Sequence, residues 1–291
     1  MLVEIFYHID EFCKIFEKEL DKKSLTENGN LRDRKGQLSL SEIMTICIYY
    51  HYSGYKTFKD YYCKHVLVHL QPEFPGLVSY NRFVELKAMT VLPLILFAKA
   101  CAGKCTSVSF IDSFALKVCH NKRIYSHKLF KNIAQRGKTS MGWFYGFKIH
   151  FVINHFGQII DFHLSAGNIS DNDENVLAKL TQNIFGKLIG DRGYIVRSEI
   201  FENLYQLGIQ LITKIRKNMQ NKLILFFDKL LLRKRGTIES VIGNLKEDFS
   251  IEHTRHRSTT NFLSHVFSAL VAYAFKPEKP SIVNSNIIQL A

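Results

Sequence analysis

The chain has 291 residues, with 39 Lys and Arg against 26 Asp and Glu, for a formal net charge of +13. At 46% hydrophobic residues it can bury a substantial core in one large or two modest domains. Its longest apolar stretch, Phe262 to Phe275, holds Ser264, His265 and Ser268 and is too short for a transmembrane span, and so large a basic excess points to an anionic partner, most simply nucleic acid.

Apolar residues at helical spacing (Ile5, Ile9, Phe12, Phe16) predict a helix over residues 1–20, and the polar run Asp21 to Gly36 reads as a loop. Ser39 or Ser41 can cap a helix through Ile43, Ile46, Cys47 and Tyr50, which Ser53-Gly54-Tyr55 breaks. A short helix follows over 57–66. Ser79 then opens a long one toward Ala100, with Pro93 placed to kink or split it. A helical N-terminal domain over 1–102 results, either a helix-turn-helix DNA reader or a plain bundle. The six Cys are irregularly spaced and no secretory signal is visible, so free thiols in a cytoplasmic protein are expected.

From residue 107 the pattern changes to strands. Val108-Ser109-Phe110-Ile111-Asp112-Ser113-Phe114 reads as a strand buried on both faces with one acid at its exit, and few strand signals follow until Met141. Trp143 to Asn154 and Ile159 to Leu164 form a hairpin about His155-Phe156-Gly157-Gln158, in which Asp161 is expected to face solvent. Ser170 or Asp171 caps a helix running to about Ile184, which explains Asp171, Asp173 and Glu174 without chemistry. Lys187 to Gly190 is a short strand ending in Asp191. A helix over 198–207 and a fifth strand over 210–213 follow. Residues 214–236 are very basic with a helical middle from Leu223 to Leu232, and helices over 237–249 and 261–275 precede a flexible tail, 276–291.

This order predicts an α/β fold: a ribonuclease-H-like mixed five-stranded sheet, order 3-2-1-4-5, flanked by helices and preceded by the helical N-terminal domain. In that order the first and fourth strands are parallel neighbours, so Asp112 and Asp191 face one small volume. Such strand-end carboxylates suit hard divalent cations. The stretch from Ser113 to Ile160 contains no Asp or Glu but holds Lys122, Arg123, Arg136, Lys138 and Lys148, interleaved with aromatics that can stack on bases. Lys214, Arg216, Lys217, Arg233, Lys234 and Arg235 form a second basic set just before Glu239, which lies on the first turn of a helix; Lys246 stands two turns further on the same face.

In Leu232-x2-Arg235-x3-Glu239-x6-Lys246 the chain resembles the bacterial insertion-sequence transposases of the D-D-E class, whose signature is Y-x2-R-x3-E-x6-K; Leu232 replaces the tyrosine. Phe110 to Ser113, Gly142 to His150, Gly190-Asp191-Arg192-Gly193-Tyr194 and Arg255-His256-Arg257 also resemble the family, most closely the insertion-sequence family numbered nine-eighty-two. The resemblance implies a catalytic domain over 103–275, with Asp112, Asp191 and Glu239 as catalytic metal ligands. It implies two Mg²⁺ per site, replaceable by Mn²⁺, for phosphodiester cleavage and strand transfer. The implied partner is double-stranded DNA bound by a homodimer, with Arg192, Arg255 and Arg257 joining the basic residues already named as contacts.

Overall fold

The computed structural model describes residues 1–27, 36–214, 224–252 and 256–282. Among these the chain forms two compact units. The first takes in Met1–Cys101, Leu245–Ile251 and His256–Phe275, and the second the remainder.

The first unit is helical. It contains α1 (Leu2–Glu27), α2 (Leu40–Tyr49), α3 (Phe58–Tyr61), α4 (Leu67–His69), α5 (Tyr80–Lys87) and α6 (Val91–Ala100). Helix α1 outlasts the expected loop start at Asp21, because no Gly or Pro interrupts the sequence before Gly29. Ser39 is the cap of α2 in a reciprocal box: its Oγ accepts from the Glu42 N–H and its own N–H donates to Glu42 Oε2 at 2.6 Å. The expected short helix over 57–66 is α3 followed by a π-helical turn, Tyr62–Val66, and α4. The expected long helix is split at Ala88–Thr90, and Pro93 falls in the first turn of α6, where its missing N–H breaks no ladder bond. Tyr61, Tyr62 and Phe83 fill the centre of this unit.

The second unit is built on a mixed sheet of β1 (Val108–Cys119), β2 (Gln135–Thr139), β3 (Gly142–Asn154), β4 (Ile159–Ala166), β5 (Gly186–Gly190) and β6 (Ile209–Thr213). Its helices are α7 (Glu174–Leu180), α8 (Ser198–Gln206), α9 (Phe226–Lys234) and most of α10 (Gly236–Glu247). The last helix, α11 (Thr259–Ala274), belongs to the first unit, where it packs on α6 and α2 and Ser264 Oγ lies 2.9 Å from Thr90 Oγ1.

The pairing runs β2-β3-β1-β5-β6, with β4 also on β3, and is consistent with a ribonuclease-H-like sheet. It has six strands rather than the five expected. The additional strand, β2, reads Gln-Arg-Gly-Lys-Thr; it carries almost no apolar signal and is a strand because the early half of β3 offers it an edge, Gln135↔Gly146 to Thr139↔Gly142. Strand β1 also runs well past Asp112, to Cys119, paired antiparallel to β3 throughout. Only its first part pairs parallel to β5, from Val108↔Lys187 to Phe110↔Ile189. One face of the sheet packs Ile111, Val152 and Leu188 against Val176, Leu177 and Leu180 of α7 and Leu204 of α8. Asp161 is buried on β4, against expectation, with Oδ1 accepting the Phe162 N–H at 2.6 Å.

Candidate active site

Parallel register brings the first two acids level. Two residues beyond the last paired position, Phe110↔Ile189, stand Asp112 and Asp191. Side chains alternate faces along a strand, so Asp112 keeps the face of Phe110, opposite to the Ile111 core. Asp112 therefore sits where the parallel pairing of β1 ends, although β1 itself continues.

Asp112 is largely buried. Its Oδ1 accepts the Ser113 N–H at 2.8 Å and its Oδ2 accepts Arg235 Nη2 at 2.7 Å. Burial pushes its carboxyl up to about 6, partly offset by the Arg235 charge and the Ser113 N–H, while nearby Asp191 adds to the rise. Asp191 caps the short 3₁₀ turn Arg192–Tyr194, its Oδ1 accepting the Gly193 N–H at 2.6 Å. Glu239 lies in the first turn of α10 and is mostly exposed, and its Oε1 accepts Arg235 Nη1 at 2.9 Å. One guanidinium thus joins Asp112 to Glu239. Leu232, at the tyrosine position of the signature, is buried.

Below the sheet end lies a second polar group that sequence reading missed. Asp171 does not cap α7; Asp173 does, its Oδ1 accepting the Val176 N–H at 3.1 Å. Asp171 Oδ1 instead accepts Ser113 Oγ at 2.6 Å and Lys148 Nζ at 3.1 Å. Lys148, expected as a DNA contact, is buried at 7% exposure, with its ammonium turned to this carboxylate. His150 is fully buried, and burial holds its imidazole down at about 4, so the ring is neutral. Its one hydrogen bond is between Nε2 and Ser165 Oγ, at 2.8 Å, while Nδ1 stands 3.8 Å from Asp171 Oδ1 with no hydrogen-bond partner. The available signal was spacing: Asp173, not Asp171, stands three residues before a buried helix position.

The chain matches a family model described as "Transposase DDE domain" over residues 102–259. The chain belongs to this transposase family. No curated protein matches it. The DDE domain implies an enzyme acting on DNA. No helix among the described residues is long and apolar enough to cross a membrane.

The remaining basic residues of the transposase are spread more widely. Lys122, Arg123, Arg136, Lys138, Arg192, Lys214 and Arg233 are exposed, and Lys234 is half-buried. Arg136 and Lys138 of β2 lie 4.7 and 5.7 Å from the ring centre of Trp143, which is about half exposed on β3. Lys246 is in the last turn of α10, and Arg257 is exposed in the helical unit. Arg216, Lys217 and Arg255 lie outside the described residues, as does the start of the helical stretch expected from Leu223.

Proposed function

We propose that this transposase cleaves DNA at the ends of an insertion sequence and transfers the freed 3′ hydroxyl to target DNA, as in the bacterial family numbered nine-eighty-two. The observation that supports the reading is that Asp112 and Asp191 stand level on neighbouring parallel strands while Arg235 bonds both Asp112 and Glu239.

The donor set fits a hard divalent cation, being all carboxylate oxygen. Among the described residues no three His, Cys, Asp or Glu side chains stand close enough to enclose an ion as they are. Arg235 occupies the gap between Asp112 and Glu239, and its positive charge stands in for that of a cation. Two Mg²⁺ (or Mn²⁺) held by Asp112, Asp191 and Glu239 would supply stabilisation of the attacking and leaving oxygens of an in-line displacement. Arg235, once released from Glu239, is placed to hold a phosphate oxygen by its planar fork. In the first displacement water attacks the end phosphate and the 3′ oxygen leaves. In the second that 3′ hydroxyl attacks a target phosphate, so one phosphodiester breaks as another forms.

Lys122, Arg123, Arg136, Lys138, Arg192, Lys214, Arg233, Lys234, Lys246 and Arg257 supply phosphate contacts in this reading. The helices of residues 1–102 recognise the element ends, and a homodimer brings two ends together.

The test is incubation of the full chain with labelled DNA carrying the inverted repeats that flank its gene, with and without Mg²⁺. Nicked and joined products that vanish with Asp112→Asn, Asp191→Asn or Glu239→Gln are expected. Nicking without joining would favour a ribonuclease-H-like nuclease, and Mg²⁺-dependent nicking unchanged in Asp112→Asn would refute the assignment.

A further inference from the structure

Three further features of the second unit hold charged side chains: the partly buried Lys187–Asp228 pair, the basic β2–β3 ribbon and the Asp171 group. The first is an ion pair that holds α9 on β5, and the second belongs to the DNA surface already proposed. The Asp171 group is different, because half of its carboxylate is fixed and half is free to act.

Both hydrogen bonds that fix Asp171 fall on Oδ1, from Ser113 Oγ and Lys148 Nζ. Its Oδ2 points to Gly193. A Cβ at position 193 would come within 3.2 Å of Asp171 Oδ2 and 2.9 Å of Asp191 Oδ1. Two carboxylate oxygens from separate segments therefore flank one small space, kept open because residue 193 has no side chain. The Gly193 φ is not in the left-handed region, so the requirement there is for space rather than for backbone freedom.

An independent observation bears on the same acids. The Tyr194 hydroxyl, on a fully buried side chain, is without a hydrogen-bond partner. The charges that bear on it are those of Asp171, Asp112 and Asp191. The Ser113 side chain is its other polar neighbour, yet no hydrogen bond of good geometry is made, which is what a buried hydroxyl shared with a bound water or a hydrated ion would show. Mg²⁺ and Mn²⁺ retain several waters and need only one or two protein carboxylates each.

We propose that Asp171 is a fourth acid of the cation pocket, joining Asp191 across Gly193 to hold the divalent ion on the Asp191 side, directly or through one water. This rests on the reading of Asp112, Asp191 and Glu239 as cation ligands. Ser113 and Lys148 orient the carboxylate, and through Ser113 the same group steadies the β1 backbone beside Asp112.

The test is Mn²⁺ titration of the DNA-free full chain, with free Mn²⁺ read by electron paramagnetic resonance. Asp171→Asn is expected to weaken the site by about tenfold or more, in the range seen for groups that support metal ligands. Gly193→Ala, which changes no charge, is expected to weaken it similarly by filling the cradle. Removing Asp171 alone leaves Lys148 buried and unpaired, so Lys148→Met/Asp171→Asn is the decisive variant if the single change does not fold. The double variant is expected to bind no better than Asp171→Asn. Wild-type affinity in either Asp171 variant would overturn the proposal, since Asp171 would then serve only as the counterion of Lys148. In that event, loss of Mn²⁺ in Asp191→Asn would leave the three-acid site standing. Unchanged Mn²⁺ affinity in both Asp112→Asn and Asp191→Asn would instead remove the three-acid site and the fourth acid together.

Discussion

Arg235 donates to Asp112 at 2.7 Å across 123 residues of sequence, and with its other terminal nitrogen to Glu239 at 2.9 Å. The guanidinium stabilises the convergence of two acids that would otherwise repel. A guanidinium and a divalent cation compete for the same oxygens. Arg235→Gln is therefore expected to raise the Mn²⁺ affinity of the DNA-free protein on the order of tenfold, the worth of one charge-assisted hydrogen bond. An unchanged or lower affinity in calorimetric titration would mean that the arginine shapes the pocket rather than occupying it.

Helix α9, which leads directly into Arg235, is anchored by Lys187 Nζ on Asp228 Oδ1 at 2.7 Å. Asp228 is buried, and Lys187 also lies over the Phe227 ring at 4.6 Å. Lys187→Met is expected to lower stability by about 3 kcal/mol in urea unfolding, because a buried carboxylate loses its partner. Lys187→Met/Asp228→Leu should recover most of that loss. A double variant as unstable as the single one would show that packing, not charge, holds the helix.

The basic ribbon makes a separable prediction. Arg136→Ala/Lys138→Ala removes two exposed cations beside Trp143 without touching the acids. DNA affinity should fall, and the slope of log affinity against log salt should become shallower by about two. Mn²⁺ affinity measured without DNA should not change. An unaltered salt slope would place the DNA path elsewhere.

Acid lability is expected from the helical unit. Burial holds the His51 imidazole down at about 3, against an ordinary value of 6.5, while its Nδ1 is engaged with the Phe249 carbonyl at 2.6 Å. Lys87, itself buried, works in the same direction, and the His265 ring centre lies 4.9 Å away. Between pH 6.5 and about 3 the unfolded chain binds a proton that the folded ring refuses. Stability therefore falls as pH drops through that window, by about 1.4 kcal/mol per pH unit from this group. His51→Gln keeps an N–H for Phe249 and should flatten the profile of urea stability against pH. An equally steep profile in the variant would assign the lability to other groups.

Features held within a few residues of sequence were legible from it. The Ser39 cap, the strand that ends just before Asp191, the hairpin about Gly157 and the helix carrying Glu239 and Lys246 depend on local periodicity, which the backbone obeys wherever the segment lies. The rest was decided by what each segment met. Gln135–Thr139 is a strand because β3 presents an edge, and β1 outruns its acid because β3 accompanies it to Cys119. Residues 261–275 read as one more helix after the sheet, yet α11 packs with α2 and α6. Asp171 looks like a helix cap until register places Ser113 and Lys148 beside it, and nothing in the spacing around Arg235 shows that Asp112, 123 residues away, shares its guanidinium with Glu239. A charged side chain takes its role from the partners that tertiary structure brings within 3 Å or so, and sequence spacing alone does not specify them.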